Sequence, residues 1–393
     1  MTRAFSQASL LSTFDEVLED FRKTDARPTP RYDDIIKPQR AVHRILYLPI
    51  EVKARELASK AIIAREAIKQ GFSVIFGATW VMNDWAPHLP PGIVLFKSTN
   101  AIDAKNMAVW VGRGHMTAVL DEEVFGIDPA RDFLIGTLHP HVAALADIVC
   151  AQGESYADAF PYPANICLTG NPRTLTYESP DGDDILVCLQ AGNINHSAIK
   201  NYGFAHVIKS VLKLSAFPMS TPEGERWADI FRSSIAHECE LLPLMQETIA
   251  ALSDAFPKRQ IRVRPHPIED PGLWKFDQPN IMLDGDRGIV DALKTSGALV
   301  FISGCTTGLD AFLAGVPAVR LGSGGHGISA RMHEEVNTAA DAVAVVARAE
   351  KWDGNVGRHF APCDLIAPIR RLYKENQTSG DASITHTVNF TPQ

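Results

Sequence analysis

The feature that most narrows what this chain can fold into is an alternation, repeated along most of its length, of short apolar runs and longer stretches with helical period. From His43 onward, RILYLPI (44 to 50) reads as a strand, EVKARELASKAIIAREAIKQ (51 to 70) as a helix closed by Gly71, and FSVIFG (72 to 77) as the next strand. GIVLFK (92 to 97), helical DAKNMAVWV (103 to 111) and MTAVLDEE (116 to 123) continue the pattern. HPHVAALADIVCAQG and ESYADAF carry it to NICLTGNPR. Strands that alternate with helices in this way call for a parallel sheet covered on both faces, joined by right-handed crossovers.

A second α/β run begins after the acidic turn SPDGDD (179 to 184). ILVCLQAGNINH (185 to 196) is a strand running into a Gly/Asn loop, and a long helix covers about Pro222 to Phe256. QIRVRPHP (260 to 267), NIMLDG (280 to 285), LVFISGCTTG (299 to 308) and PAVRLG (317 to 322) supply further strands, with helices at 341 to 352 and 364 to 376. A chain of 393 residues is too long for one ordinary core, so two domains are expected. The boundaries read as an N-terminal helix and Pro-rich link (1–42), a Rossmann-like domain (43–178), a second Rossmann-like domain (179–360), a C-terminal helix (361–376) and a polar, aperiodic tail (377–393) expected to be disordered.

Charge excludes one class of partner. With 38 Lys and Arg against 46 Asp and Glu, the chain lacks the basic surplus on which nucleic-acid binding rests. The six cysteines form no CxxC pair, so neither a zinc site nor a disulfide framework is indicated, and a reduced, cytoplasmic protein is expected. No run approaches the ~18 apolar residues of a membrane span, which leaves peripheral attachment at the inner face of a membrane as the available membrane role.

Several strand ends carry chemistry. Arg264, Pro265, His266 and Pro267 close one strand, where open α/β sheets place their ligands. A histidine there is often an ordinary loop residue; beside Arg264, and stiffened by two prolines, it suits a phosphate. Ser303, Thr306 and Thr307 lie in SGCTTG, a small hydroxyl-rich turn feeding a helix, which serves equally as a cap or as an anion site. Asn193, Asn195 and His196 follow Gly192 in GNINH, where the alternative is an Asn-rich turn. In the first domain Glu51 and the run Asp121, Glu122 and Glu123 stand at strand edges, as dipole partners and solvated turns or as a general base. DGDD (181 to 184) contains a DxD pattern, but its place in an interdomain turn argues against a metal site.

Taken together, PIEVKAREL (49 to 57), VLDEEVFG (119 to 126), TGNPR (169 to 173), GNINH, HECE (237 to 240), RPHPIED (264 to 270) and CTTGLDAFLAGVP (305 to 317) resemble the bacterial surface carbohydrate biosynthesis proteins, GT-B proteins similar to capsule and O-antigen Kdo transferases. The resemblance implies two Rossmann-like domains facing across a cleft. It also implies donor phosphate contacts at His266, Pro267, Ser303, Thr306 and Thr307; Asn193, Asn195 and Arg264 are expected beside them from their own places at strand ends. The function expected from it is a metal-independent glycosyltransferase, without cofactor, that moves a sugar such as Kdo from a CMP-activated donor to a glycan or glycolipid. Glu51, Glu122 or Glu123 is the expected base and Glu238 a nucleophile if configuration is retained, with His266 assisting the leaving phosphate. A UDP-GlcNAc 2-epimerase-like enzyme and a non-catalytic nucleotide-sugar-binding partner in a glycan export complex are the alternatives.

Overall fold

The computed structural model describes residues 6–27, 37, 41–126, 138–215, 217–285, 287–303, 305–324, 328–351, 353–354 and 359–379. Helix α1 (Gln7–Thr24) is followed by the first sheet and its helices. These are β1 (Ile45–Ile50), α2 (Lys53–Lys69), β2 (Ser73–Ala78), α3 (Thr79–Trp85), β3 (Ile93–Phe96), α4 (Ala101–Gly112), β4 (Met116–Leu120), α5 (Pro140–Leu145), β5 (Ile148–Ala151), α6 (Glu154–Ala159) and β6 (Ile166–Leu168). The second sheet begins with β7 (Asp184–Cys188), followed by α7 (Ile199–Tyr202), α8 (Phe204–Leu212), α9 (Pro222–Ala255), β8 (Ile261–Arg264), β9 (Ile281–Leu283) and α10 (Ile289–Lys294). It is completed by β10 (Ser296–Ile302), α11 (Thr307–Ala314), β11 (Ala318–Leu321), β12 (Glu334–Val336), α12 (Ala339–Arg348) and α13 (Ile366–Ser379).

Each sheet has six strands, ordered β2-β1-β3-β4-β5-β6 and β12-β11-β10-β7-β8-β9, and every pairing is parallel. Parallel sheets must be covered on both faces, which is why β3, β4 and β5 are buried throughout. Tyr47, Val94 and Trp110 pack on one face of the first sheet and Leu46, Leu95 and Ile148 on the other. This is the GT-B arrangement of two Rossmann-like units. In each, one strand is flanked by neighbours reached in opposite directions: β1 between β2 and β3, β7 between β8 and β10. The crevice at the carboxyl ends of such strands is where doubly wound sheets hold ligands.

The two ends of the chain depart from simple order. The apolar stripe of α1, Leu10, Phe14, Val17 and Leu18, packs against Phe204, Ile208 and Phe231 of the second unit, although the link after it leads into the first. Conversely, Leu365, Ile366, Ile369 and Leu372 lie in the core of the first unit. Helix α13 runs to Ser379, three residues into the segment expected to be a tail; residues 380–393 and most of the Pro-rich link lie outside the described residues.

Strand β4 stops at Leu120, so Asp121, Glu122 and Glu123 sit beyond its edge. Helices α3, α7 and α8 and strand β12 were not anticipated. All six cysteines are free, and no helix among the described residues is long and apolar enough to cross a membrane.

Candidate functional site

The first unit contributes a network of charges at the carboxyl ends of β1, β3 and β4. Lys97, just past β3, places Nζ 2.6 Å from Glu51, 3.0 Å from Glu123 and 3.8 Å from Glu56. Arg55 lies 2.9 Å from Glu123 and 3.7 Å from Glu56. Glu56 is buried and accepts the backbone N–H of Glu51 and of Val52, both at 3.0 Å, so it fixes the turn that carries Glu51. Burial alone would raise the Glu123 carboxyl, but Arg55 and Lys97 outweigh it and hold the group below the usual range. Glu123 is therefore an anion with 46% of its side chain exposed.

Behind it the carboxyls behave differently. Burial pushes Asp121 up to about 7, against the pull of the Thr99 hydroxyl, and Asp103 up to about 6. Asp121 accepts from Thr99 Oγ1 and, at 3.0 Å, from the Glu123 N–H. Glu122, one of the expected bases, turns inward: it pairs with the buried Lys60 at 3.5 Å. Thr99, Lys97 and Asp103 were missed in the sequence because each falls in a segment with no run of like residues; the signal that could have found them is the place of Lys97 and Thr99 just past β3 and of Asp103 in the first turn of α4.

In the second unit the loop after β7 and the RPHP loop are laced together by a residue the sequence reading passed over. Glu269 accepts from the N–H of Ala191 at 3.0 Å and of His266 at 2.9 Å, from Trp274 Nε1 at 2.9 Å and from Asn195 Nδ2 at 3.3 Å. Glu238 takes the same part for Asn193, accepting its N–H at 2.8 Å, its Nδ2 at 2.7 Å and the Ile194 N–H at 3.2 Å. Burial drives Glu238 up to about 8 while these donors pull it back. Both oxygens of Glu238, the nucleophile expected from the sequence, are thus engaged in holding a loop, and the side chain is buried. Gly192 is needed for close approach, since a Cβ there would lie 2.8 Å from Ile268 Cδ1 and 3.5 Å from His266 Nδ1.

His266 is exposed yet hemmed in by protein, and that partial desolvation lowers its pKa, with Glu269 opposing and the Arg55 guanidinium of the other unit adding to the fall. Its Nδ1 accepts from the Ile268 N–H at 3.4 Å, so the ring hydrogen belongs on Nε2. Pro267 follows it, also exposed. Arg264 is drawn aside: its Nη1 lies 3.4 Å from the Asp284 carbonyl and 3.8 Å from the Asp284 carboxylate, which Arg287 also holds at 2.7 Å.

Thr306 stands at the cap of α11 and Thr307 begins it; Thr307 Oγ1 donates to Cys305 Sγ at 3.3 Å. The units meet here, because a Cβ on Gly126 would fall 2.4 Å from Thr306 Cγ2, and the Ile328 N–H donates to the Gly126 carbonyl at 2.8 Å. Ser303 is buried in a left-handed conformation (φ 49°) and contacts His237 Nε2 at 2.6 Å and the Ser323 carbonyl at 2.8 Å. No group of three or more potential metal-ligating side chains gathers among the described residues.

The structure thus brings Glu51 and Glu123 together through Lys97, while His266 lies past the carboxyl end of β8 and Thr306 and Thr307 past that of β10 in the other unit. It sends Glu122, Glu238 and Arg264 to other partners. No protein-family model matches the chain, and no curated protein matches its sequence. Solved structures are similar at low identity. A Listeria monocytogenes protein described as a UDP-N-acetylglucosamine 2-epimerase is 11% identical, covering 86% of this chain and 97% of its own, with a TM-score of 0.46. A second UDP-N-acetylglucosamine 2-epimerase is 11% identical over 90% of this chain and 100% of its own, at 0.45. The spinosyn forosaminyltransferase SpnP is 11% identical over 86% and 96%, at 0.39. Likeness at this level carries no argument about chemistry, which rests on the residues described above.

Proposed function

We propose that the chain is a nucleotide-sugar enzyme, a glycosyltransferase that moves a sugar from an activated donor to a glycan or glycolipid. The observation that carries this reading is the confrontation of two strand-end walls. Glu51, Lys97 and Glu123 gather past β1, β3 and β4, and His266 in the loop beyond β8 feels the charge of Arg55 from the opposite unit.

In this reading His266 donates from Nε2 to the leaving phosphate, and the N-terminus of α11 with Thr306 and Thr307 stabilises the charge that develops there. Arg55 and Lys97 supply further positive potential without a metal ion or cofactor. Glu123 is the residue assigned as acceptor base, being anionic and open to the cleft, with Glu51 its neighbour through Lys97. Kdo or a related nonulosonate on a CMP carrier, delivered to a surface polysaccharide precursor at the inner face of the membrane, is the specific form of the proposal. It rests on the resemblance of the motifs.

One observation favours a second reading, a sugar-nucleotide epimerase. Asp121, raised to about 7, stands beside Glu123, held low, and carboxyls whose environments push their pKa values apart serve as an acid and base pair. The test is to incubate the protein with CMP-Kdo and a panel of UDP- and CMP-sugars, with and without a glycolipid acceptor, following thermal shift, nucleotide release and products. Release that requires acceptor supports transfer, and a new sugar nucleotide formed from donor alone supports epimerisation. No stabilisation by any cytidine or uridine nucleotide overturns both.

A further inference from the structure

The pairing of His237 with Ser303 says more than that a strand end meets a helix. Ser303 follows directly on β10, which pairs with β7, and His237 comes from α9. The turn after β11 is shaped to lie over that helix. Gly322 and Gly324 are both left-handed (φ 79° and 90°); a Cβ on the first would fall 2.5 Å from Leu241 Cδ2 and on the second 3.4 Å from His237 Cε1. His237 and Leu241 are one turn apart on the same face of α9.

The hydrogens can be counted. Ser303 has a single hydroxyl proton, and its Oγ lies 2.8 Å from the Ser323 carbonyl, which can only accept. Its 2.6 Å contact with His237 Nε2 is then satisfied only if that nitrogen carries the hydrogen and donates to Oγ. Nδ1 is left with its lone pair and no hydrogen-bond partner among the described residues, on a half-buried ring. Burial lowers the His237 pKa from its ordinary value, opposed by the Glu240 carboxylate. A neutral imidazole whose only N–H is spent presents an acceptor, and an acceptor repels phosphate oxygens but takes a hydroxyl or N–H.

We infer that His237 is a ligand-contacting residue whose Nδ1 accepts a hydrogen bond from the nucleoside half of a bound nucleotide, and that Ser303 is its positioning residue rather than a phosphate donor. The assignment rests on the nucleotide-sugar reading above. It divides the second unit's crevice, with phosphate toward His266, Thr306 and Thr307 and nucleoside toward His237. The partner is a ribose hydroxyl or a nucleobase N–H.

Two measurements on the full chain test it. Nitrogen-15 NMR of the imidazoles is expected to show His237 as the Nε2–H tautomer, with the Nδ1–H form appearing in Ser303→Ala. Calorimetry is expected to show His237→Phe weakening CMP or UDP at least tenfold while inorganic pyrophosphate binding is unchanged. His237→Gln, whose amide keeps a donor for Ser303 but carries its acceptor oxygen on Cδ rather than at the Nδ1 position next to Cγ, is expected to show the same loss, so a purely structural histidine would be exposed by its recovery. If a ribose hydroxyl is the partner, 2′-deoxy or 3′-deoxy CMP binds the wild type and His237→Phe alike; if a base N–H is, the difference persists. An Nδ1–H tautomer in the wild type, full recovery in His237→Gln, or equal losses for nucleotide and pyrophosphate would overturn the assignment. Nucleotide binding that is indifferent to His237 overturns it alone, whereas a wild type that binds no nucleotide overturns it together with the functional reading.

Discussion

Arg173 Nη2 donates to Asp310 Oδ1 at 2.8 Å, so the segment between the two sheets is fastened from inside to helix α11 of the second. Tyr177 OH shares the same carboxylate oxygen, Arg173 Nε donates to that hydroxyl at 3.1 Å, and the guanidinium lies 4.3 Å from the centre of the Phe125 ring. Removing one member leaves a buried charge with no counter-ion. Arg173→Ala or Asp310→Ala is expected to cost about 3–5 kcal/mol, read by chemical denaturation. The double replacement by apolar residues of similar size is expected to recover much of that loss, because the penalty lies in the orphaned charge.

The two adjacent acids after β4 are expected to separate stability from activity. Glu123→Gln leaves Lys97 and Arg55 near other carboxylates and removes the anion facing the cleft, so turnover is expected to fall about 10²–10⁴-fold with melting temperature nearly unchanged. Glu122→Gln strips the counter-ion from the buried Lys60 and is expected to lower the melting temperature first. Equal behaviour of the two variants in paired kinetic and melting assays would remove Glu123 from its assigned role.

Asp121 sets a pH dependence whose sign follows from its raised pKa. A carboxyl whose folded pKa lies above its unfolded value contributes stability that is complete below the unfolded value, near 4, and is lost as pH rises through about 7. Asp121→Asn keeps both contacts, since its oxygen can accept the Glu123 N–H and its amide can donate to Thr99. Relative to this variant, the wild type is expected to lose about 2–4 kcal/mol between pH 4 and pH 8, by denaturation at each pH. A difference independent of pH would show that Asp121 titrates normally.

The lacing of the second unit's loops is tested at Glu238. Glu238→Gln retains an acceptor for the Asn193 and Ile194 N–H groups, and the Asn193 side-chain amide can turn to accept from the new amide. It is expected to be stable to within about 1 kcal/mol, while Glu238→Ala costs about 1–3 kcal/mol by leaving buried donors unpaired. A covalent glycosyl adduct on Glu238, sought by mass spectrometry of the donor complex, would overturn its role as a loop anchor.

Much of the fold was legible because parallel strands buried on both faces advertise themselves as apolar runs; β1, β3, β4, β5 and β10 coincide with such runs. Strand β12 reads EEV and was invisible, since an edge strand needs no such run. The site was legible by position, where Glu51, Glu123, His266 and Thr306 stand at strand ends. Its electrostatics were not. Whether an acid after β4 faces the cleft or Lys60 depends on a single residue of phase beyond Leu120, which sequence does not fix. Nor does sequence reveal that Glu269 and Glu238 are anchors, because their donors, backbone N–H groups together with the side chains of Asn193, Asn195 and Trp274, lie mostly in loops far away along the chain.

The crossed ends of the chain bear on what a cut would do. Arg27 Nη1 donates to the Ser215 carbonyl at 2.8 Å on the second unit, and ten residues on Lys37 Nζ donates to the Ala146 carbonyl at 3.1 Å on the first. The returning chain passes close to Gly170, whose Cβ would lie 2.5 Å from the Ala361 carbonyl. A protease that nicked the segment near Thr174 would produce two pieces, each keeping a helix embedded in the other's body. They would stay interlocked and migrate as one particle until denaturant released them.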